Sequence, residues 1–496
     1  MLFSILFPLL LWWQLPFVLP SSEPPPDLTR PNVIVIYMDD LGFGDLSCYG
    51  ALGYETPAID RLASQGMRFT QFLSAQAVCS ASRAALLTGC YPNRVGVSGA
   101  YFPNATIGLH PQEITLAELL KQKDYRTAAI GKWHLGDHPL FMPLQQGFDS
   151  YFGIPYSNDM WPVGYDGTGE SAGWKKSIPP LPLILNRDTF ALVRNLTDQG
   201  QLTRRYTEKA VDFITANRAY PFFLYLAHTM PHVPIAVSER FAGHTGAGLF
   251  ADVMAEMDWS VDTIVRTLAK YKLSENTLIL FSSDNGPWLN YGHHAGSSGG
   301  LREGKGTSFE GGHRVPAIFY WPGRIPPRTC NQLASTIDVL PTLADLLNIP
   351  LPPVPIDGMS LLPLLNGRTD QPIRREFLYY YRKNALEAVR MDHWKRVFPH
   401  PGRTYTLHPP GQDGYPGTAP EDFSIAGGLY DLRRDPGECY DLSQLFPDIL
   451  RQLDSLAAKA RSELGDELTG FAGKGRRPVG DVTVLAPGPG NKGKSP

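Results

Sequence analysis

The chain is poor in several things, and each scarcity closes off a class of explanation. Five cysteines among 496 residues are too few for a disulfide framework to carry the fold, and their odd number leaves one unpaired unless it bonds between chains. Charge of one sign is not in excess: 45 Lys and Arg stand against 48 Asp and Glu. No Lys/Arg-dense run occurs outside the short tail, so no nucleic acid or other polyanion is implied as a partner. Long apolar runs are missing beyond the first twenty residues, which leaves no candidate for a stable membrane span. Those twenty, Met1 to Pro20, are apolar but lack the usual positive charge and contain Pro8 and Pro16. Followed by the Pro-rich Ser21 to Pro26, they predict a secretory signal peptide over residues 1–22 and a secreted, periplasmic or lysosomal destination. There is no internal repeat.

What is present is a series of short apolar runs that stop abruptly at polar residues. Asn32–Met38 runs into Asp39 and Asp40, Thr127–Ile130 into Gly131 and Lys132, Phe222–Ala227 into His228, and Thr277–Ser283 into Asp284 and Asn285. Continuous rather than alternating apolar residues predict strands buried on both faces, as in a parallel sheet. Helical patterns at Ala58–Gly66, Leu116–Lys123, Arg205–Asn217 and Phe250–Leu273 fall between them. The alternation predicts an α/β fold, a large and mainly parallel sheet flanked by helices, over residues 31–350. A further helix is expected at Ser335–Asn348, before the proline-dense 350–355. Short strand-like pieces and a helix near Pro447–Leu464 then predict a smaller α+β domain with an antiparallel sheet over 356–468. From about 470 to 496 the Gly, Pro and Lys content predicts a disordered tail.

Function in open α/β sheets collects beyond the carboxyl ends of the strands, and the polar clusters lie there. Asp39, Asp40, Asp284 and Asn285 form two pairs of hard oxygen donors at two strand ends. Either pair alone is ordinary turn chemistry, but both together point to an oxygen-ligated cation, Ca²⁺ or Mg²⁺. Lys132, His134, His232 and Lys305 sit in Gly- and Pro-marked loops near the same edge and offer positive charge and proton transfer. A lone Lys or His is usually structural; the combination favours a site for an anionic group. The string Cys79-Ser80-Ala81-Ser82-Arg83 leads into Ala84–Leu87 and Gly89, which predicts a helix with Cys79 at its start and Arg83 one turn on. From the residues alone Cys79 is a buried small hydrophobe, a low-pKa thiol nucleophile, or the special residue of an anion site.

The strings Pro31–Val35, Asp39–Asp45, Cys79–Gly89, Gly131–Gly136, Gly153–Ser157, Ser283–Gly286 and Gly304–Gly312 together resemble the type I, formylglycine-dependent sulfatases of the alkaline phosphatase superfamily. The similarity is to the branch of arylsulfatase A and N-acetylgalactosamine-6-sulfatase, and it covers about residues 31–440. It implies a hydrolase of aryl or carbohydrate sulfate esters in which Cys79 is oxidised by a maturation enzyme to Cα-formylglycine (3-oxoalanine). The hydrated aldehyde then ligates the metal and attacks sulfur. By the same resemblance Asp39, Asp40, Asp284 and Asn285 are expected to bind Ca²⁺, with Mg²⁺ the lesser candidate and residue 79 completing the set, and the following roles are expected of the other residues. Arg83 and Lys132 hold the formylglycine, Lys305 neutralises sulfate oxygens, and His232 assists departure of the alcohol. His134 takes a proton from the second hydroxyl so that the aldehyde regenerates, and Ser157 lies on the substrate side. His232 is preferred to His228 because it directly precedes a Val-Pro pair. The family usually has proline where this chain has Ala81, which bears on the route of maturation.

Two other readings share these residues. One is a phosphodiesterase or phosphonate monoester hydrolase on the same fold; the other is a non-catalytic sulfatase-like binding protein. Substrate choice is expected in the loops Tyr156–Pro182 and His400–Pro420, where Trp161, Tyr165, Trp174 and Tyr405 either stack on a ring or pack. The pairing of Cys48, Cys90, Cys330 and Cys439 and the oligomeric state stay open.

Overall fold

The computed structural model describes residues 30–165, 167 and 173–485. The expected signal peptide and residues 486–496 of the expected tail lie outside them.

The chain forms strands β1 (Asn32–Met38), β2 (Met67–Leu73), β3 (Ile107–Gly108), β4 (Arg126–Gly131), β5 (Ser150–Gly153), β6 (Leu181–Leu185), β7 (Asp188–Val193), β8 (Phe222–Ala227), β9 (Thr277–Ser283), β10 (Arg314–Tyr320) and β11 (Arg328–Cys330). All but β3 join one sheet in the order β11-β2-β10-β9-β1-β8-β4-β5-β6-β7. Its centre, β9-β1-β8-β4-β5, is parallel; β10 runs antiparallel between β9 and β2, and β6 and β7 antiparallel at the far edge. The sheet is therefore mixed, with the parallel strands in the middle.

Strand β1 shows why the apolar runs are continuous. Val33, Val35 and Tyr37 belong to one hydrophobic core, and Ile34, Ile36 and Met38 to a second on the opposite face. Helices Leu202–Asn217 and Leu249–Lys270, with α1 (Pro57–Gln65), cover the second face, while α2 (Cys79–Thr88) and Val339–Leu346 cover the first. No described helix is long and apolar enough to cross a membrane.

A separate antiparallel sheet is built from Glu376–Tyr381, Ala385–Met391, Trp394–Val397 and Gly428–Asp431, in that order. A third core joins this sheet and helix Pro447–Leu464 to Leu73, Ala75 and Ala85 of the large sheet's side. One sequence expectation changes. Residues 470–485 are largely exposed, but they are tied to the domain where disorder was expected: Gly480–Asp481 pairs antiparallel with β3, and Arg477 Nε meets Glu113 Oε1 at 2.7 Å. Composition could not reveal this, because the strap is held by a few directed contacts rather than by an apolar face. All five cysteines are free thiols, which answers the pairing that the sequence left open.

Candidate active site

Register brings the two acidic pairs together. Asn32 to Met38 of β1 lie beside Thr277 to Ser283 of β9, residue for residue, so Asp39 and Asp284 leave the sheet side by side. On the other side Tyr37 pairs with Ala227, and Ala227 with Gly131, which places the His232 and Lys132 loops at the same edge. Asp40 (φ 62°) and His134 (φ 60°) then adopt the left-handed conformation, which turns the chain sharply beyond the sheet.

Gly131 is needed for that turn. Its φ is +109°, and a Cβ there would stand 1.8 Å from the Ala227 carbonyl oxygen. The same oxygen accepts the Lys132 N–H at 2.8 Å. Gly131→Ala should destabilise the protein by about 2 kcal/mol or more, read as a lowered denaturation midpoint. An unshifted midpoint would contradict this placement of the loop.

Helix α2 begins at Cys79, with Val78 extended before it and Gly89 as a left-handed C-cap (φ 69°). Every residue of the helix is buried. Arg83 points back beneath the strand ends: Nη2 meets Asp284 Oδ2 at 2.7 Å and Asp39 Oδ1 at 3.4 Å, and Nη1 donates to the Lys132 carbonyl at 3.1 Å. Lys132 Nζ donates to Asp39 Oδ2 at 2.6 Å and to Ser157 Oγ at 3.1 Å. Lys305 Nζ reaches Asp40 Oδ2 at 2.8 Å and lies 4.4 Å from the centre of the Trp288 ring. The Asp40 N–H donates to Asp284 Oδ1 at 3.1 Å, and Asn285 Nδ2 to Asp40 Oδ1 at 2.7 Å. Three buried carboxylates thus face three buried cations around Cys79.

The ligand-capable atoms of Asp39, Asp40, Cys79 and His232 lie within 4.8 Å of one another. Asp284 and Asn285 adjoin this group through Asp40. His232 Nε2 is 3.6 Å from Asp40 Oδ2, and its Nδ1–H donates to the Val233 carbonyl at 2.6 Å. His228 points elsewhere, its Nε2 3.2 Å from Ser260 Oγ, and burial pulls its pKa down to about 3. His134 donates from Nε2 to the Tyr101 carbonyl at 2.9 Å, leaving Nδ1 buried with no hydrogen-bond partner. Burial, then Lys132 and Arg83, hold His134 well below the usual imidazole range, so Nδ1 is a vacant proton acceptor.

Burial pushes the Cys79 thiol up to about 12, against the pull of Lys132 and Lys305. Position at a helix start therefore does not make it a low-pKa thiol; enclosure outweighs the dipole. Burial and the like charge of Asp39 push Asp284 up to about 7, against the opposing charge of Arg83. Asp39 Oδ1, approached only by the Arg83 guanidinium at 3.4 Å, and Asn285 Oδ1 are buried oxygens that accept no hydrogen bond. Crowded carboxylates and orphaned hard oxygens are what a divalent cation satisfies.

Among the loop aromatics, Trp161 is fully buried and Tyr405 donates from its hydroxyl to the Lys305 carbonyl at 2.7 Å, so both pack. Tyr165 accepts from the Tyr291 hydroxyl at 2.7 Å. The residues that sequence inspection passed over are Trp288, beside Lys305 and His232, and Asp159, two positions beyond Ser157. Proximity to Asn285 and to Ser157 was the only signal for either.

Comparison with known proteins now has a geometry to meet. A family model described as "Sulfatase" matches residues 31–349, one described as "C-terminal region of aryl-sulfatase" matches 373–473, and one described as "N-sulphoglucosamine sulphohydrolase, C-terminal" matches 304–396. Arylsulfatase A of Homo sapiens is 39% identical over 448 residues, covering 86% of this chain and 87% of that protein. N-acetylgalactosamine-6-sulfatase of Canis lupus familiaris is 39% identical over 443 residues, covering 83% and 82%. The crystal structure of the PsFucS1 sulfatase from Pseudoalteromonas sp. superposes with a TM-score of 0.77 at 28% identity, covering 87% and 89%. The architecture is thus a sulfatase fold. The chain belongs to the sulfatase family and is a sulfuric ester hydrolase.

Proposed function

We propose that the protein hydrolyses sulfate esters of aryl or carbohydrate alcohols, using a formylglycine formed from Cys79 and a bound Ca²⁺. The observation that carries this reading is the set of buried oxygens around Cys79, of which Asp39 Oδ1 and Asn285 Oδ1 accept no hydrogen bond. Asp39, Asp40, Asp284 and Asn285 would hold the ion together with residue 79; an all-oxygen protein set suits Ca²⁺, and Mg²⁺ less well. When bound, the ion would polarise the sulfate group and the hydrated formylglycine would supply the attacking hydroxyl.

The chain's own side chains supply the rest. Lys305, backed by the Trp288 ring, neutralises sulfate oxygens, and Lys132 with Ser157 continues that positive wall. Arg83 fixes Asp284 and the Lys132 backbone, and so orients the donors around residue 79. His232, its Nδ1–H fixed on Val233, exchanges a proton only through Nε2 and gives it to the departing alcohol. His134 Nδ1 accepts the proton that resets the site. Cys79 is 2% exposed in a wholly buried helix, so the maturation enzyme must act before this segment folds. That sequence of events fits the N-terminal signal and a secreted, periplasmic or lysosomal protein.

Removing divalent ions with EGTA should abolish turnover of 4-nitrophenyl sulfate, and Ca²⁺ should restore it, with about one ion per chain by elemental analysis. Full turnover by metal-free protein would overturn the assignment. Aryl phosphate diesters in the same assay should react far more slowly than the sulfate; the reverse order would favour the phosphodiesterase reading.

A further inference from the structure

One carboxylate beside this site has no task in the reaction above. Asp159 follows Ser157 on the segment that leaves β5, and this segment is held rigidly. Asn158 Nδ2 donates to the carbonyls of His232 at 3.2 Å and Pro234 at 3.3 Å, and Gln199 Nε2 donates to the Asn158 carbonyl at 2.7 Å. Lys175 Nζ donates to the carbonyls of Asp159 at 3.1 Å and Val163 at 2.9 Å. The backbone around Asp159 is therefore fixed to the turn that carries His232.

The segment lies against the reaction centre, with Ser157 Oγ 3.1 Å from Lys132 Nζ and Asn158 bonded to the His232 carbonyl. Burial raises the pKa of Asp159, but His232, Lys305, the Ser157 hydroxyl and Lys132 more than reverse this and hold the carboxyl below the usual carboxylate range. Its charge also acts on Tyr291, beyond Trp288. Asp159 is 7% exposed, and its Oδ1 is buried with no hydrogen-bond partner. An ionised carboxylate oxygen left unpaired at such a depth is costly, and a bound ligand that brings a donor removes the cost. The donor cannot be the sulfate group, whose oxygens are anionic and only accept. A hydroxyl on the alcohol that leaves past His232 can bring one.

We propose that Asp159 is a specificity-determining residue that accepts a hydrogen bond from a free hydroxyl neighbouring the sulfate ester, which directs the enzyme to carbohydrate sulfates. The inference rests on the reading of the site given above. It follows that a second sulfate at the neighbouring position is rejected, because it would set an anion against an anion. A site built to bond a hydroxyl discriminates strongly against analogues that lack it, since its own polar group is then left unpaired.

The test uses the full-length mature enzyme with galactose 3-sulfate, galactose 6-sulfate, their 4-deoxy analogues and 4-nitrophenyl sulfate. For the better sugar, the wild type should lose about 30- to 100-fold in kcat/KM on removal of the 4-hydroxyl. Asp159→Ala should lower the sugar-to-aryl ratio of kcat/KM by a similar factor and show no further loss on the deoxy substrate. Asp159→Asn, which keeps an acceptor oxygen and the side-chain volume, should fall between. Parallel losses on sugar and aryl substrates, an unchanged ratio, or a wild type indifferent to the hydroxyl would each overturn the proposal. So would a wild type that hydrolyses the aryl sulfate and neither sugar. Absence of turnover on the aryl sulfate as well would instead count against the reading of the site itself.

Discussion

Cys79→Ala should be folded and inactive, with kcat for 4-nitrophenyl sulfate lowered by about four orders of magnitude or more. The thiol is buried at the start of α2, where burial raises its pKa to about 12. Burial keeps the thiol protonated at neutral pH, so an unmodified cysteine is a poor nucleophile here. The site nonetheless directs Lys132, Lys305, Asp39 and Asp284 at this one position. A side chain of different chemistry at residue 79 resolves the mismatch. Alanine deletes that chemistry while removing only a small buried atom, and α2 stays anchored by Arg83, so the denaturation midpoint should move little. Retained turnover in Cys79→Ala would rule out the formylglycine.

Lys395→Met should be among the most destabilising single substitutions in the chain, at about 3–5 kcal/mol. Lys395 Nζ is fully buried, 2.8 Å from Glu438 Oε1 and 3.3 Å from Glu310 Oε1, and lies 4.0 Å from the Tyr379 ring centre. Both carboxylates are fully buried as well. Methionine fills the volume but leaves the buried Glu438 without its cation, while Glu310 keeps Arg314 Nε at 2.8 Å and the Tyr379 hydroxyl at 2.6 Å. Glu310 closes the segment that carries Lys305, and Glu438 Oε2 accepts the Glu310 N–H at 2.7 Å. The loss should therefore reach the sulfate site: the surviving folded enzyme should show a higher KM for sulfate esters. The denaturation midpoint and steady-state kinetics check both parts. Arg375→Met, which breaks an exposed pair with Asp392, is the control and should leave the midpoint in place.

Much of the catalytic half is legible in the sequence because its strands announce themselves. The bounds expected for Asn32–Met38, Phe222–Ala227 and Thr277–Ser283 are those observed, since burial on both faces forces an unbroken apolar run. Helix α2 ends at Gly89, where a left-handed residue is required. The antiparallel β10 escaped notice because Arg314 and Pro316 break its pattern; its partner β2 is only partly buried. The strand-end residues were found by their position after apolar runs. Asp159 and the Glu310–Lys395–Glu438 group were not, because their meaning lies in contacts across the fold rather than in any local pattern. Ala81 has a structural reason that sequence could not supply: its N–H donates to the Gly99 carbonyl at 3.2 Å, a bond that proline cannot make.

Peptide mass spectrometry across residue 79 of the active protein tests the central claim most directly. The account predicts a peptide bearing an aldehyde in place of the Cys79 thiol, present in proportion to specific activity. An unmodified cysteine in fully active protein would contradict it.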